Sequence, residues 1–435
     1  MKAVILDGSP IADETGARIR AALETRLRER GWEVEPVLLT ERKIGACAGD
    51  FYCWVRSPGV CNVDDDNRGI AAQLAASDLA IYLTPVTFGG YSSTLKRMVD
   101  HQIQNVLPFF ATIDGETHHQ PRYDTNPDLL VVGWTDTPDA QAQAVFRHLA
   151  WRNAINFHAR RFAAEVVRVS SSDQRLSESA SAWLDNLERG RSPEPAGLPA
   201  ENVAVSGDVE IRRALLLVGS PRTRNSTSNS LGGYMYEQLV ARGVEIETVY
   251  LHTVVRSPKK MRELLDAVAA ADLVTLAFPL YVDSLPAPAI EALERIAADR
   301  QGQTHRAQLF AAIANCGFPE TAQTGTALAI CRTFAREAGF EWAGSLALGG
   351  GAAVGGAPLV GGKTARIRRS LELAAEALAH GRAIPDTAPD LMGRPLIPNW
   401  AYRLMGTFGW KRMAARHGVR KLQKGQPYSD AARAA

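Results

Sequence analysis

The sequence lacks several features that assign a function directly. It contains neither a G-x-x-x-x-G-K-[ST] phosphate loop nor a G-x-G-x-x-G dinucleotide fingerprint. No window approaches the ~20 consecutive apolar residues of a membrane-spanning helix. Lysine and arginine number 49 against 47 aspartates and glutamates, so the net charge of +2 gives no bias toward nucleic acid or an acidic partner. These absences argue against P-loop nucleotide hydrolases, Rossmann dinucleotide enzymes, nucleic-acid-binding proteins and integral membrane proteins.

Cysteine is also scarce. There are five cysteines, an odd number, in a sequence without secretory features, which argues against a disulfide framework and favours a reducing compartment. Lys2 precedes a short apolar segment rather than a long one, so we expect no signal peptide. We therefore expect a cytoplasmic location.

A chain of 435 residues is too long for one ordinary domain. Short apolar segments alternate with helical patterns through both halves, which is typical of parallel sheets covered by helices on both faces. A segment rich in serine and proline separates the halves. We predict a first domain over 1–170, a linker over 171–209 with a short helix at Ala182–Leu187, a second domain over 210–383 and a tail over 384–435.

The second half repeats the first. The segment 30–35, RGWEVE, matches 242–247, RGVEIE, and AASDL at 75–79 matches AAADL at 269–273. The third strand ends at Pro85 in one copy and at Pro279 in the other. The two halves are thus two copies of one α/β unit rather than a short-period solenoid.

Each copy opens with an apolar strand that stops at a Gly-Ser-Pro turn before a helix. In the second copy Gly219-Ser220-Pro221-Arg222 leads into a run of hydroxyl and amide side chains; in the first, Gly8-Ser9-Pro10 leads to Asp13. Such a turn gathers backbone N–H groups at a helix N-terminus, where an anion is stabilised. It suits a phosphate monoester held by hydroxyls and amides. On turn chemistry alone it is equally an ordinary way to leave a sheet.

Two further loops should meet this turn, because ligands of open parallel sheets bind beyond the carboxyl ends of the strands. The second loop is 84–90, TPVTFGG, or 278–283, FPLYVD; the third is 134–136, WTD, or 315–318, NCGF. A proline fixes the backbone at the start of the second loop, and the glycines let a flat ring approach closely.

These stretches resemble the flavodoxin-like NAD(P)H-dependent FMN reductases and the iron–sulfur flavoproteins of the same superfamily. The resemblance rests on GSPRTRNST at 219–227, TPVTFGG at 84–90 and FPLY at 278–281, and it covers about residues 1–170 and 210–380. It implies an α/β fold of two tandem, doubly wound, parallel five-stranded flavodoxin-like sheets, followed by a basic aromatic C-terminal tail.

The resemblance also implies FMN as the cofactor, exchanging hydride with NAD(P)H. The electrons would pass to a small-molecule acceptor such as a quinone, an azo or nitro compound, or free flavin. The sequence shows no convincing acid–base pair or nucleophile, so the catalytic residues stay unassigned, and we expect no resident metal. The expected FMN-binding residues are Ser9, Thr15, Gly16, Pro85, Val86, Thr87, Phe88, Gly89, Ser220, Arg222, Asn225, Ser226, Thr227, Ser228, Pro279, Leu280, Tyr281, Val282, Asn315 and Gly317. The alternatives are a flavodoxin-type electron carrier and a flavin-free binding protein whose sites have decayed; a homo-oligomer is left open.

The two copies differ in their polar residues. The second carries Arg222 and Arg224 beside its donors, whereas the first places Asp13 and Glu14 where a phosphate would bind. Thr15-Gly16 would still cradle a phosphate if those carboxylates point to solvent. We predict that FMN binds more tightly to the second copy.

Three cysteines of the first copy form the pattern Cys47-x5-Cys53-x7-Cys61, with Asp50 where an iron–sulfur flavoprotein has another cysteine. Because clusters normally require four thiolates, we predict no cluster; a structural loop is favoured over a zinc or redox-thiol site. His118-His119 either covers a flavin, binds a metal or is a solvated pair, and Arg122 is a candidate for an NADPH phosphate.

The tail is aromatic and basic from Asn399 to Lys424. It would suit an anionic membrane surface. Because glycines interrupt its apolar face, we expect it to pack on its own or a partner's domain, and we expect no membrane partner.

Overall fold

The computed structural model describes residues 1–190, 197–201, 203, 205–206, 209–422 and 425–429. The chain forms two compact units. One comprises Met1–Leu198 together with Arg403–Ala435, and the other comprises Pro199–Tyr402. The C-terminal residues therefore group with the first unit and not with the copy that precedes them in sequence.

The first unit contains a five-stranded parallel sheet in the order β2-β1-β3-β6-β7 and a separate two-stranded hairpin, β4-β5. Its strands are β1 Lys2–Asp7, β2 Glu33–Leu38, β3 Leu79–Pro85, β4 Val106–Ile113, β5 Glu116–Pro121, β6 Asp128–Thr135 and β7 Phe162–Arg168. Its helices are α1 Glu14–Glu29, α2 Tyr52–Val55, α3 Asn67–Ala75, α4 Ser93–His101, α5 Ala140–Asn156 and α6 Asp173–Glu188.

The second unit contains a parallel sheet in the order β9-β8-β10-β11-β12. Its strands are β8 Arg213–Val218, β9 Glu245–Tyr250, β10 Leu273–Pro279, β11 Leu309–Asn315 and β12 Glu341–Leu348. Its helices are α7 Thr227–Val240, α8 Leu251–Val254, α9 Pro258–Ala270, α10 Ala287–Arg300, α11 Gly325–Glu337, α12 Ala365–Ala379 and α13 Thr387–Gly393. A last helix, α14 Asn399–Arg416, begins in this unit and ends in the first.

When the strands of each parallel sheet are numbered in chain order and the hairpin strands β4 and β5 are left out, both sheets have the order 2-1-3-4-5. This is the flavodoxin order. The predicted fold of two tandem doubly wound sheets is thus confirmed. In each sheet the winding direction reverses between the first and third strands of the copy. The loops that follow these two strands therefore border the crevice where ligands of such sheets bind.

The cores follow from the sequence periodicity. In α1 the apolar residues Ile19, Leu23 and Leu27 recur every four positions and are fully buried. The interior strands of both sheets are buried and mostly apolar on both faces because helices cover both faces, whereas the edge strands β2 and β9 are largely exposed or half-buried. None of the described helices is long and apolar enough to cross a membrane.

Two parts of the first unit differ from the prediction. The helix expected over Ala182–Leu187 extends from Asp173 to Glu188, and it packs on α1 as part of the core. The segment after α4, expected to be irregular, is the antiparallel hairpin β4-β5. In the hairpin, His118 and His119 pair with Ala111 and Phe110, which gives this polar sequence a regular strand partner.

Candidate functional site

The loop after the third strand of each copy has one conformation. In the first copy Val86 N–H donates to Trp134 O (2.9 Å), and Thr87 and Gly90 exchange backbone hydrogen bonds. In the second copy Leu280 N–H donates to Asn315 O (2.7 Å), and Tyr281 and Ser284 form the same reciprocal pair. The two sequences share little beyond the proline, so the conformation is preserved independently of the side chains.

This turn places two residues in the left-handed region. They are Phe88 (φ 53°) and Gly89 (φ 79°) in the first copy, and Val282 (φ 45°) and Asp283 (φ 58°) in the second. A β-branched residue such as Val282 is strained there by roughly 1–3 kcal/mol. Strain of this kind is kept where a specific backbone shape has a use, which supports the assignment of these turns to a ligand.

Asn315 brings the three predicted loops of the second copy together. Its Nδ2 donates to Ser228 Oγ (2.9 Å) and to Phe278 O (3.0 Å), and its backbone oxygen accepts from Leu280 N–H (2.7 Å). The N-terminus of α7 and the carboxyl ends of β10 and β11 therefore meet at one buried amide.

The N-terminus of α7 is capped by a hydroxyl. Ser226 Oγ accepts from Asn229 N–H (3.1 Å) and donates to Thr223 O (2.6 Å). Within the described part of the chain, the backbone N–H groups of Thr227 and Ser228 have no hydrogen-bond partner. The exposed side chains of Arg222 and Arg224 stand in the preceding turn. Two backbone donors, the positive end of a helix and two cations are features that favour an anion at this place.

A glycine-rich loop that was not among the predicted site residues borders the same place. It follows β12 and contains seven glycines between positions 349 and 362. A Cβ on Gly356 would lie 2.7 Å from the carbonyl carbon of Asn225, and one on Gly351 would lie 2.9 Å from Asn315 Oδ1. Thr227 Oγ1 also donates to Gly351 O (2.9 Å). The glycine density was the sequence signal that could have identified this wall.

The remaining predicted residues of the second copy lie at this edge of the sheet. Pro279 is the last residue of β10 and pairs in register with Asn315. Gly317 follows β11, and its backbone oxygen accepts from Tyr402 Oη (2.6 Å). Ser220 Oγ accepts from Arg222 N–H (3.3 Å) and thereby holds the turn.

The first copy fills the equivalent helix N-terminus with its own carboxylate. Asp13 Oδ1 accepts from the backbone N–H groups of Thr15 (2.9 Å) and Gly16 (3.2 Å), and Asp13 Oδ2 accepts from Trp134 Nε1 (2.8 Å). The carboxylate therefore points into the helix end and not to solvent. The condition under which Thr15-Gly16 would cradle a phosphate is not met.

Ser9 is likewise engaged within the first copy. Its backbone N–H donates to Asp7 Oδ1 (2.9 Å), its hydroxyl donates to the same carboxylate, and Arg20 pairs with Asp7. A Cβ on Gly16 would collide with Ser9 Oγ, so this turn and α1 are in direct contact. These internal bonds replace those that a ligand would make.

The histidines of the hairpin are not the solvated pair considered from the sequence. His118 is buried, and its Nδ1 lies 2.8 Å from Asn156 Oδ1. The His119 ring lies against Trp54, with centroids 4.6 Å apart, and burial lowers the pKa of His119 to about 4. Both side chains are structural parts of the first unit.

Arg122 is not placed to bind an NADPH phosphate. It is buried, and its Nε, Nη1 and Nη2 donate to the backbone oxygens of Gln104 (2.7 Å), Gly425 (2.6 Å) and Val106 (3.0 Å). Gln426 Nε2 donates in return to Arg122 O (2.7 Å). The arginine fastens the C-terminal segment to the hairpin.

Cys47, Cys53 and Cys61 line one small cavity together with Asp50 and His101. Cys61 Sγ lies 3.6 Å from His101 Nδ1, and His101 Nε2 lies 2.8 Å from Gly45 O. Burial raises the pKa of the Cys47 thiol to about 12. The carboxylate of Asp50 accepts from Tyr52 N–H (3.0 Å). Among the described residues, no three or more His, Cys, Asp or Glu side chains are grouped closely enough to hold a metal ion.

Curated proteins and solved structures that are similar to parts of this chain include flavoproteins and an azoreductase. An iron–sulfur flavoprotein of Methanosarcina thermophila is 29% identical over 103 residues, which are 24% of this chain and 53% of that protein. One of Methanocaldococcus jannaschii is 33% identical over 101 residues, 23% of this chain and 51% of that protein. The chain thus spans about half the length of these curated relatives. An azoreductase structure from Bacillus anthracis matches 39% of this chain and 99% of its own, with 13% identity and a TM-score of 0.29.

The family described as NADPH-dependent FMN reductase matches residues 1–154 and again 212–328, once in each copy. Together these segments cover more than half of the sequence, and they contain the turns after the first, third and fourth strands of each parallel sheet. The chain belongs to the NADPH-dependent FMN reductase family, of which it carries two fused copies.

Proposed function

We propose that this chain reduces small acceptors with electrons from NAD(P)H, using FMN bound in its second copy. Family membership supports a flavin-dependent oxidoreductase. The observation that carries the placement is the contrast between the two helix N-termini. At the N-terminus of α7 the N–H groups of Thr227 and Ser228 have no partner among the described residues and can bind a ligand. At the N-terminus of α1 the side chain of Asp13 accepts the corresponding hydrogen bonds.

The residues of the second copy fit the phosphate end of FMN. The N–H groups of Thr227 and Ser228 would donate to phosphate oxygens, the hydroxyl of Ser220 lies in the same turn, and Arg222 would offset the negative charge. Gly351 and Gly356 let the glycine-rich loop pack directly against the phosphate turn and Asn315, because a Cβ at either position would collide with them. In this turn a phosphate binds without displacing a side-chain carboxylate.

The strained turn would hold the ring end. In flavodoxin-like sheets this loop borders the crevice at the switch point, and its fixed backbone offers N–H groups to a planar ligand. Val282 and Asp283 keep their left-handed conformation there at an energetic cost. Bound FMN supplies hydride acceptance and one- or two-electron transfer, while the protein binds it, orients it and excludes water. We propose NADH or NADPH as the electron donor and a small molecule, such as a quinone or an azo or nitro compound, as the acceptor.

An iron–sulfur cluster, which the names of the curated relatives mention, does not fit the residues present. Three thiols surround the cavity, and the carboxylate of Asp50 is engaged with Tyr52 N–H. Clusters are normally held by four thiolates. Electron transfer in this chain is therefore proposed without a cluster.

The test is the flavin content and reduction behaviour of the purified full-length protein. We expect close to one tightly bound FMN per chain and rapid anaerobic reduction by NADH or NADPH. Flavin that is bound but not reduced by either nucleotide would indicate a flavodoxin-type carrier instead. A protein that binds no FMN when it is supplied would contradict the proposal.

A further inference from the structure

The last helix, α14, has two faces with different surroundings. Its inner face packs on an aromatic cluster of the first unit. Trp410 lies edge-on to Trp54, with ring centroids 5.1 Å apart, and Ala414 is buried in the same cluster. A Cβ on Gly406 would lie only 2.5 Å from the Phe110 ring, so this glycine allows the helix to sit closely. The inner face thus confirms the expectation that the tail packs on its own chain.

The outer face of α14 is apolar but exposed. Leu404, Met405 and Phe408 have 54%, 64% and 71% of their surface exposed. They are spaced i, i+1 and i+4, which places them on one side of the helix. Twelve large apolar side chains are exposed in the described part of the chain, and five of them belong to α14. Single exposed apolar residues are ordinary, but this concentration on one helix indicates an interaction surface.

The segment that carries this surface has ionisable side chains of one sign. From Asn399 to Ser429 the sequence has no aspartate or glutamate. It has seven basic residues, namely Arg403, Lys411, Arg412, Arg416, Arg420, Lys421 and Lys424. In the described part of the chain, Arg412, Arg416, Arg420 and Lys421 form no ion pair. A long segment with several unpaired basic side chains favours a negatively charged partner.

We propose that the outer face of α14 docks on the surface of an anionic phospholipid bilayer. Leu404, Met405 and Phe408 would enter the boundary between headgroups and acyl chains, while the basic side chains meet the lipid phosphates. A second copy of this chain fits less well, because two such surfaces face to face would bring together two sets of uncompensated cations. The helix lies on the bilayer and does not cross it. Packing on the domain and contact with a membrane, which the sequence presented as alternatives, use opposite faces of one helix.

The test is co-sedimentation of the full-length protein with vesicles. We expect binding to vesicles of phosphatidylcholine mixed with phosphatidylglycerol and little binding to phosphatidylcholine alone. Binding should weaken as salt is raised, because the ionic part of the attraction is screened. Failure to bind the mixed vesicles, or equal binding to both kinds, would overturn the proposal.

Matched variants separate the two contributions. Leu404→Ser with Phe408→Ser should weaken binding to mixed vesicles by about tenfold or more, because apolar area is lost from the bilayer. Arg412→Glu with Arg416→Glu should weaken it at least as much and should reduce the salt dependence. Val240→Ser and Arg262→Glu, exposed positions on other helices, are the controls and should bind as the natural protein does.

Sedimentation velocity tests whether a second copy of this chain, and not a bilayer, covers the outer face of α14. We expect the same oligomeric state for the natural protein and for the Leu404→Ser, Phe408→Ser variant. An oligomer that dissociates in this variant, without vesicle binding by the natural protein, would show that the surface contacts a second copy and would refute membrane docking.

Discussion

Trp134 Nε1 donates a hydrogen bond to Asp13 Oδ2 over 2.8 Å, which holds this carboxylate inside the N-terminus of α1. Trp134 is the residue of β6 that pairs in register with Pro85, and Asn315 is the residue of β11 that pairs with Pro279. The same position of the sheet thus supplies an indole in one copy and an amide in the other. In the first copy it stabilises an internal anion, and in the second it joins the loops around an open helix end.

Neutralising Asp13 should strengthen FMN binding by the first copy. In Asp13→Asn the side chain still caps α1, but the negative charge at the phosphate position is lost. We expect about a tenfold lower Kd for FMN at this site, since ~1.4 kcal/mol of repulsion is removed. Fluorescence-quenching titration of the full chain measures this, with the second copy disabled by the substitutions given below.

The control for Asp13 is Asp173→Asn, which removes an exposed charge from the same unit. It should leave the FMN affinity unchanged. If the unaltered first copy binds FMN as tightly as the second, the carboxylate does not have the role given to it here.

Removing the donors of the second copy should release its flavin. Arg222→Ala with Asn225→Ala deletes a cation and an amide whose side chains are both exposed. Each hydrogen bond to a charged group contributes ~1.5–3 kcal/mol, so we expect the Kd for FMN to rise by about a hundredfold or more. The measurement is the flavin-to-chain ratio after gel filtration.

Arg262→Ala, on the exposed face of α9, is the matched control for this loss of charge. Flavin retained at the natural ratio by the double variant would place the phosphate elsewhere.

His119 should make the free energy of unfolding depend on pH. Burial beside Trp54 lowers the pKa of His119 to about 4, whereas an unfolded histidine titrates near ~6.5. The unfolded chain therefore binds the proton first as pH falls, so the stability contribution is complete above ~6.5 and is lost progressively toward ~4. The slope is up to about 1.4 kcal/mol per pH unit.

His119→Phe keeps an aromatic ring in the cluster but cannot be protonated. Urea unfolding of both proteins between about pH 7 and pH 4.5 should show a shallower pH dependence for the variant. Glu116, whose pKa is lowered to about 2 chiefly by its hydrogen bond to His118, loses its contribution at lower pH and is separable. If the free energy of unfolding falls equally with pH in both proteins, the pKa of His119 is not lowered in the folded state.

The cysteine cavity should contain no iron–sulfur cluster. After anaerobic purification, iron and acid-labile sulfide are expected far below one cluster per chain, because Asp50 stands where a fourth thiolate would be needed. A variant with Cys47, Cys53 and Cys61 all replaced by serine gives the background level. Iron and sulfide at cluster stoichiometry in the natural protein, absent from that variant, would refute this expectation.

The alternation of strands and helices predicted both sheets, because apolar periodicity depends on local burial. The sequence did not predict the direction of Asp13, since its charge is visible in the sequence whereas its hydrogen bonds to Thr15 and Trp134 depend on tertiary packing. The hairpin β4-β5 was missed because its second strand, ETHHQP, is polar and lacks the usual alternation. The loop over 349–362 was missed because glycines were considered only next to the predicted turns.

The first unit is not continuous in sequence, since Pro199–Tyr402 stands between its two parts. During synthesis from the N-terminus, the residues that complete it leave the ribosome after the whole of the second unit. Until Gly425 appears, the guanidinium of Arg122 lacks one of its three carbonyl acceptors, and until Trp410 appears, Trp54 lacks part of its aromatic cover. The second unit is therefore synthesised in full before the first unit can complete its folding. A chain truncated before Trp410 would lack contacts that the first unit needs.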